Sequence, residues 1–266
     1  MKNSILMTYF APTIAECLKV EKPHEAKEGV GAVKNLLEKN DCLDIDRTLI
    51  YNPDAIGMWL FQKYTNEFSK VLENTQLALP VQTVLPSVTP VCFGTMYTGA
   101  MPSTHGIMRY EKRIIETDSL FDRLAEAGKK VAIVAVENSS MAIIFGERKI
   151  DYYILPYDEE VNQKAKELIK EDNYDVIVVY NQEYDDKMHA TYPESEVALQ
   201  AMKNQINAFS ELADAVRENW TNHNSLICCV TDHGIHTGDN GKGTHGYDVE
   251  EDLNVMHFFG VLPKNK

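Results

Sequence analysis

Aspartate and histidine side chains recur at three points of this sequence, each at the end of an apolar run or directly after one. Asp54 ends RTLIYNPD, Asp185 and His189 follow YDVIVVYNQ, and Asp232 and His233 follow SLICCVT. Carboxylate oxygens and imidazole nitrogens are ligands that zinc accepts in proteins. These residue types therefore indicate a metal site, provided that the fold brings the three points together.

The spacing within each motif is compatible with metal binding but does not require it. In YDDKMH, Asp185 and His189 are four residues apart, so one helical turn directs both side chains to the same point. D-x-x-x-H is common by chance, however, and the motif taken alone favours a surface location over a metal site. In TDHG, Gly234 permits the turn that would bring Asp232 and His233 to metal ions, while a capped turn with a hydrogen-bonded histidine is the alternative.

Two further residues extend the candidate site. His245 lies beyond the loop TGDNGKGT and can return to the ion of Asp185 and His189 as a third ligand. Thr89 precedes the predicted short helix CFGTMYTG, so its hydroxyl is expected at a helix N-terminus, where backbone amides and the helix dipole favour an anion such as phosphate. A simple N-cap role is the alternative for Thr89, and the two roles are compatible.

The composition restricts the class of partner. The formal charge is -14, from 26 Lys+Arg against 40 Asp+Glu, which argues against nonspecific binding to nucleic acid or to an acidic membrane. An anionic substrate would need local positive charge, which a bound metal can supply. The five cysteines form no CxxC pair and are expected to be buried, reduced thiols. With no evident signal peptide and no apolar run of ~18 residues, we expect a cytoplasmic protein without a membrane segment.

The order of predicted elements indicates an α/β protein. From about residue 45 onward, short β-rich runs alternate with longer amphipathic ones, and the strands VAIVAV, YDVIVVYNQ and SLICCVT are nearly continuous apolar runs, as in a parallel sheet covered by helices on both faces. In such sheets ligands bind at the carboxyl ends of the strands, where the aspartates and histidines fall. No repeat or Gly/Ser-rich linker divides the chain, which predicts one domain over residues 1–266.

The ordered set of motifs resembles the alkaline phosphatase superfamily, nearest to its nucleotide pyrophosphatase/phosphodiesterase branch. The nucleophile pattern of that branch is similar to PSVTPVCFGTMYTGAMPSTHGI, from Pro86 to Ile107. Its ligand segments are similar to DDKMH, TDHGI and HGYD, and Asp54 matches the aspartate that ends the first strand. The resemblance implies a three-layer αβα sandwich with a mostly parallel central sheet. The length of the chain leaves no room for a large cap domain.

The resemblance also implies a two-metal hydrolytic site. One ion would be held by Asp185, His189 and His245, and the other by Asp54, Asp232, His233 and the hydroxyl of Thr89. Mixed Asp/His ligation favours Zn²⁺, with Mn²⁺ as the alternative. Thr89 would be the nucleophile and would form a phospho-threonine intermediate.

The implied substrate is a small-molecule phosphoester, first of all a phosphodiester or nucleotide pyrophosphate. The same core leaves open a phosphomonoesterase, a phosphonate hydrolase, a phosphomutase, or a non-catalytic domain that binds metal or phosphate. The sequence does not indicate an oligomeric state.

Two departures from the family pattern limit the comparison. After HGI the branch usually has an asparagine that contacts phosphoryl oxygens, whereas here Tyr110 stands at that position beside Arg109; these two and Lys242 are candidate substrate contacts. The N-terminal helical segment 1–45 contains YFAPTIAECLKVEKP, similar to a segment that relatives carry near their C-terminus. A circular permutation predicts that Met1 and Lys266 lie close together, and a chance match is the alternative.

Overall fold

The computed structural model describes residues 1–265 and shows an eight-stranded central sheet. Its strands are β1 (Ile5–Leu6), β2 (Arg47–Pro53), β3 (Leu77–Gln82), β4 (Val131–Val136), β5 (Asp151–Leu155), β6 (Val176–Asn181), β7 (Ser225–Val230) and β10 (Asn254–Leu262). They lie in the order β1-β3-β10-β7-β2-β6-β4-β5. A separate two-stranded ribbon consists of β8 (His236–Thr237) and β9 (Gly243–Thr244).

Helices cover the sheet and connect its strands. The α-helices are α1 (Phe10–Cys17), α2 (Gly31–Lys39), α3 (Met58–Lys63), α4 (Ser69–Asn74), α5 (Thr89–Thr98), α6 (Pro102–His105), α7 (Leu120–Glu126), α8 (Ser140–Ile144), α9 (Asp158–Glu171), α10 (Glu183–Ala190), α11 (Glu196–Asn219) and α12 (Glu250–Leu253). Two short 3-10 helices span Met7–Tyr9 and Thr65–Phe68.

Alternate residues of the central strands enter two separate hydrophobic cores. In β2, Ile50 belongs to the core under α1, α2, α5 and α7, whereas Leu49 and Tyr51 belong to the core under α9, α10 and α11. This alternation follows from the two-residue period of a strand. The three-layer αβα sandwich predicted from the apolar strands is therefore confirmed, and residues 1–265 add no separate cap domain to it.

The sheet is mostly parallel, as predicted, with one reversed strand. Within this sheet, among the described residues, β10 alone runs antiparallel to its neighbours, β3 and β7. The sequence pattern did not predict β3, β5 or β10. Strand β3 contains Pro80, and the Pro-containing stretch LPVQTVLPSVTPV predicts only an extended segment there, while β10 lies beyond the last motif.

Helix boundaries agree in part with the sequence pattern. The helical spacing of apolar residues in MWLFQKYTNEFSKVLEN, residues 58–74, predicts one helix, but the run is interrupted at Tyr64, which separates α3 from a 3-10 turn and α4. Helix α7 begins after Ser119, whose side chain forms a capping box with Asp122, and Gly128 follows its end in the left-handed region at φ 75°. The sequence offers both Asp118 and Ser119 as caps of this helix, and Ser119 is the N-cap.

The N-terminal segment packs against the body of the molecule. Strand β1 pairs with β3 in parallel at one edge of the sheet, and α1 is almost entirely buried. The circular permutation predicts that Met1 and Lys266 lie close together, but Lys266 is outside the described residues. The permutation therefore stays a prediction. All five cysteines are buried and unpaired, as expected. Across residues 1–265, none of the helices is both long enough and apolar enough to span a bilayer.

Candidate metal centre and nucleophile

The predicted ligands come from the carboxyl ends of three adjacent strands. Asp54 directly follows β2, and its backbone N–H donates to Asn181 O at the end of β6 at 3.0 Å. Asp185 lies on α10, which begins just after β6, and Asp232 follows β7. Because β7, β2 and β6 are neighbours in the sheet, these positions meet at one edge.

The first ligand group consists of Asp185, His189 and His245. Its potential ligand atoms all lie within 4.8 Å of one another. Asp185 Oδ1 is 3.4 Å from His189 Nε2 and 3.5 Å from His245 Nε2, and the two imidazole nitrogens are 3.1 Å apart. Helix α10 places Asp185 and His189 on one face, as the four-residue spacing predicts.

The second ligand group consists of Asp54, Asp232 and His233, and all three side chains are buried. His233 Nε2 is 3.4 Å from Asp54 Oδ1 and 3.3 Å from Asp232 Oδ2. Thr89 Oγ1 lies 3.2 Å from the same nitrogen. The threonine hydroxyl therefore borders this group, as the sequence predicts.

Three carboxylate oxygens in these groups lack hydrogen-bond donors. Asp54 Oδ1, Asp185 Oδ1 and Asp232 Oδ2 are buried, and within residues 1–265 none of them accepts a hydrogen bond. These are the atoms that face the histidine Nε2 atoms of their groups. A buried unpaired carboxylate oxygen is costly unless a cation compensates it, so the donor set fits divalent cations.

The three histidines are oriented by their other ring nitrogens. Each Nδ1 lies at hydrogen-bond distance from a backbone carbonyl: Gly243 O for His189 at 3.0 Å, Gly234 O for His233 at 3.1 Å, and Ser87 O for His245 at 2.7 Å. A carbonyl only accepts, so the bonding pattern assigns the proton to Nδ1 and leaves the Nε2 lone pair directed into the site.

The remaining oxygens of the second group are also fixed. The Tyr180 hydroxyl donates to Asp54 Oδ2, and the N–H of Ala55 donates to Asp232 Oδ1 at 3.3 Å. Ala55 has φ 65°, a left-handed conformation that costs energy for a residue with a Cβ. The chain turns here at the end of β2, and the turn directs the N–H of Ala55 toward the carboxylate of Asp232.

Without cations the electrostatics of the site are unfavourable. Burial, with the nearby charges of Asp232 and Asp185, raises the pKa of Asp54 well above its usual value, and burial raises the pKa of Asp232 to about 7. Burial lowers the pKa of His233 and of His245 to about 4. Asp54, Asp232, His233 and His245 therefore favour their neutral forms, whereas the hydrogen bond with Asp185 raises the pKa of His189. Cations would restore the carboxylates of the second group to their charged state.

Thr89 is the first residue of α5, and Val88 is its N-cap, so the N-cap alternative for Thr89 is wrong. The amides of Val91 and Cys92 both donate to Val88 O at 3.0 Å, and Pro90 has no N–H. The first turn therefore offers fewer free amides to an anion than the sequence indicated, although the helix dipole still points toward Thr89.

Two links tie the loop after β7 to the rest of the site. The ribbon pairs His236 with Thr244 in register, and the next residue, His245, thereby reaches Asp185 and His189 in the first group. The buried carboxylate of Asp252 accepts hydrogen bonds from His236 Nδ1 at 2.7 Å and from the N–H of Tyr247 at 2.9 Å. The backbone carbonyl of Asp252 accepts a hydrogen bond from the N–H of Gly234 at 2.8 Å. The stretch that carries Asp232, His233 and His245 is thus held at both ends.

The model of the type I phosphodiesterase/nucleotide pyrophosphatase family matches residues 51–257, a range that contains all seven ligand and nucleophile candidates. The chain belongs to this family. No curated protein matches the chain in sequence.

Solved structures of the superfamily share the fold. An inactive threonine-to-alanine variant of murine ectonucleotide pyrophosphatase/phosphodiesterase 5, in complex with AMP, is 18% identical with a TM-score of 0.57, covering 73% of this chain and 59% of its own. Phosphonoacetate hydrolase from Sinorhizobium meliloti 1021 is 14% identical with a TM-score of 0.54, covering 72% and 57%. The C-terminal periplasmic domain of the phosphoethanolamine transferase from Campylobacter jejuni is 14% identical with a TM-score of 0.57, covering 82% and 80%. The chain thus spans less than two thirds of the first two proteins.

Three residues were named from the sequence as candidate substrate contacts, and their role stays a prediction. Arg109 is 83% exposed and pairs with Glu111 at 3.1 Å. Tyr110 is 61% exposed, and Lys242 is exposed in the loop between β8 and β9. Nothing in these contacts directs the three side chains toward Thr89.

Several residues that support the two candidate ligand groups were missed from the sequence. Tyr180 reads as one more residue of an apolar strand, and Ser87 as part of a Pro-containing stretch. Yet Ser87 O accepts from His245, and Ser87 Oγ accepts from Gly246 N at 3.1 Å. The only available signal for Tyr180 was a hydroxyl inside an otherwise apolar run that ends at the site.

Proposed function

We propose that this chain is a two-metal phosphodiesterase that hydrolyses a small-molecule phosphodiester or nucleotide pyrophosphate through Thr89. The observation that carries the proposal is the convergence of three unpaired carboxylate oxygens and three inward-facing Nε2 atoms beside one threonine hydroxyl. Membership of the type I phosphodiesterase/nucleotide pyrophosphatase family supports the choice of substrate class.

We assign one ion to Asp185, His189 and His245, and the other to Asp54, Asp232 and His233 with Thr89. Mixed nitrogen and oxygen donors favour Zn²⁺, and Mn²⁺ is the second choice. Divalent cations at these positions lower the pKa of a coordinated hydroxyl and neutralise charge on phosphoryl oxygens. That positive charge matters in a chain with a formal charge of -14.

The chain's own groups divide the reaction into two displacements. Thr89 Oγ1 gives up its proton to solvent and forms a bond to phosphorus, while the bond from phosphorus to the leaving-group oxygen breaks and that oxygen takes up a proton from solvent. Water then attacks the phosphorus of phospho-Thr89, the Oγ1–P bond breaks, and the threonine is regenerated. Burial of Thr89 and its fixed position as the first residue of α5 hold the nucleophile in one orientation, which reduces the entropy lost in reaching the transition state.

Three esters assayed in parallel test this function: p-nitrophenyl phosphate, bis(p-nitrophenyl) phosphate and the p-nitrophenyl ester of thymidine monophosphate. We expect preference for the two diesters in the presence of Zn²⁺ or Mn²⁺. Preference for the monoester would indicate a phosphomonoesterase on the same core. The absence of turnover on all three, in a protein that holds metal, would contradict the proposed activity.

Variants at Thr89 test the covalent route. Thr89→Ala should lower kcat by about 10³-fold or more because the nucleophile is lost, while metal content stays near that of the wild type because Asp54, Asp232 and His233 still hold the second ion. Thr89→Ser restores a hydroxyl and should recover a measurable part of the rate. Full activity in Thr89→Ala would exclude attack by this residue.

A further inference from the structure

Strand β5 forms an open edge of the central sheet. It pairs with β4 on one side, and within residues 1–265 no strand lies on its other side. The strand at the opposite edge, β1, has two residues, whereas β5 has five. β5 also lies two strands beyond β6, which precedes the ligand candidate Asp185, so this edge is separate from the proposed catalytic site.

The backbone groups of two residues of β5 point away from the sheet. Leu155 O accepts from Glu137 N at 2.8 Å, so the backbone of Leu155 faces β4. Because successive residues of a strand direct their N–H and C=O groups to opposite sides, Tyr153 also faces β4, whereas Tyr152 and Ile154 face outward. Within residues 1–265 no loop or side chain bonds to these outward backbone groups. They offer donors and acceptors in alternation, which is the pattern that a further extended chain satisfies.

The side chains along this edge are uncharged. The last four residues of β5 are YYIL, and Ile154 is 41% exposed. Natural edge strands are usually protected from pairing by a lysine, an inward-pointing charge or a proline within the strand. Here Lys149 and Pro156 lie outside β5, and Asp151 is its first residue. The residues that would protect the edge therefore bound the exposed stretch without interrupting it.

The two ends of β5 differ in charge. Three lysines border one cleft at its amino end, and within residues 1–265 none of their side chains pairs with a carboxylate: Lys129, Lys130 and Lys149. The one carboxylate of that cleft, Asp151, accepts the Tyr174 hydroxyl at 2.7 Å. At the carboxyl end, Glu159 and Glu160 are exposed in the first turn of α9. The dipole of α9 favours acidic residues there but has no bearing on the lysines. The strand thus has a basic end and an acidic end.

We propose that two copies of this chain associate by antiparallel pairing of their β5 strands, about a two-fold axis at Tyr153. In this register Tyr152 lies opposite Ile154 of the second copy, and the two residues exchange both N–H···O bonds. The pair occurs once on each side of the axis, and aromatic residues opposite β-branched ones stabilise neighbouring strands. The antiparallel direction also places the basic end of each copy beside the acidic end of the other, with Lys149 near Glu159 of the second copy. A two-fold interface must be complementary to itself, and opposite charges at the two ends of one strand meet that condition.

Sedimentation equilibrium of the full chain over roughly 1–100 µM tests the pairing, and we expect a reversible monomer–dimer equilibrium. Ile154→Lys should raise the dimer Kd about tenfold or more, since lysine on an edge strand opposes pairing. Leu72→Lys makes the same substitution on α4, at a side chain that is 39% exposed, and should leave the Kd unchanged. A wild-type chain that stays monomeric over the whole range would overturn the proposal. A dimer that persists unchanged in Ile154→Lys would place the interface elsewhere and would overturn it as well.

Exchange of the charges at the two ends tests the antiparallel direction. Lys149→Glu and Glu159→Lys, made separately, should each raise the Kd about tenfold, because like charges then face each other across the interface. Both side chains are exposed, so neither substitution removes a buried contact. The double variant restores opposite charges and should return the Kd to within about threefold of the wild type. A double variant as weak as either single one would contradict the antiparallel arrangement. Because the measurement is of assembly alone, it is independent of phosphodiesterase activity and of Thr89.

Discussion

The imidazole rings of His233 and His245 stack face to face, with centroids 3.9 Å apart and planes inclined by 17°. The two residues belong to different ligand groups, so the stack is the point at which the two proposed ion sites adjoin. Two-metal hydrolases hold their ions about 3.5–4 Å apart, and ring spacing on this scale is compatible with that separation. One continuous stretch of chain thus supplies ligands to both groups.

Removal of divalent cations should destabilise the fold as well as abolish activity. Asp54, Asp185 and Asp232 have buried oxygens without donors, and cations would compensate them. A ligand present at 1,000 times its Kd adds about 4 kcal/mol to the free energy of unfolding, equivalent to roughly 10 °C in Tm for a chain of this size. Scanning calorimetry before and after a strong chelator, followed by readdition of Zn²⁺, measures the shift. An unchanged melting curve, together with no metal in the purified protein, would rule out the two-metal site.

Tyr180→Phe should weaken metal binding while preserving the fold. The Tyr180 hydroxyl donates to Asp54 Oδ2, and its ring packs edge-on against Phe93 with centroids 5.4 Å apart, a contact that phenylalanine keeps. Loss of a partner that orients a ligand typically lowers metal affinity about 10–100-fold. Competition with a chelating dye gives the affinity, and saturating metal should restore most of the activity.

The matched control for that substitution is Tyr153→Phe. Tyr153 lies on β5, at the far edge of the sheet, and its hydroxyl is 2.8 Å from the hydroxyl of Tyr174. Metal affinity should be unaffected there. Equal Zn²⁺ affinity in wild type and Tyr180→Phe would mean that the hydroxyl does not orient Asp54.

The positions of the site residues could be predicted because their types are distinctive and their strands are local apolar runs. Asp54, Asp185 and Asp232 each lie at or just beyond such a run, and the carboxyl ends of neighbouring parallel strands meet at one edge. The order of the motifs along the chain then identified His245 as a candidate ligand and Thr89 as the candidate nucleophile. The division of the ligands into two groups was implied by the resemblance to the alkaline phosphatase superfamily, and the structure brings the same residues together in two groups.

The sequence could not predict contacts that depend on long-range pairing. Strand β10 contains NVMHFFGVL, and its antiparallel direction is set by β3 and β7, which are distant in the chain. His257, on this strand, lies 2.8 Å from the hydroxyl of Tyr9, 248 residues away. No spacing rule links such residues, because tertiary packing alone brings them together.

Gly234→Ala should disrupt the second ligand group. A Cβ at this position would lie 1.9 Å from Glu251 O, so the backbone on one side must move. Overpacking of this kind costs about 1–3 kcal/mol, and the movement would displace the adjacent His233. A lower Tm and a lower affinity for Zn²⁺ are expected together.

Gly31→Ala serves as the control, since a Cβ at Gly31, the first residue of α2, would meet nothing within 4 Å. Its Tm should be equal to or slightly above that of the wild type. If Gly234→Ala behaved in the same way as this control, the close approach to Glu251 would not constrain the site.

His257→Gln should lower stability at neutral pH by an amount that shrinks in acid. His257 is fully buried between Thr231 O and the Tyr9 hydroxyl, each at 2.8 Å, and burial lowers its pKa to about 4. Because the folded pKa lies below the unfolded value of about 6.5, the stabilising contribution is complete above pH 6.5 and is lost as the pH falls toward 4. Glutamine does not titrate, so the difference in free energy of unfolding between wild type and variant should decrease by about 2–3 kcal/mol over this range. Urea unfolding at several pH values measures it, with His24→Gln, at an exposed histidine, as the control. A difference that stays constant from pH 7 to pH 4.5 would show that His257 does not remain neutral in the folded protein.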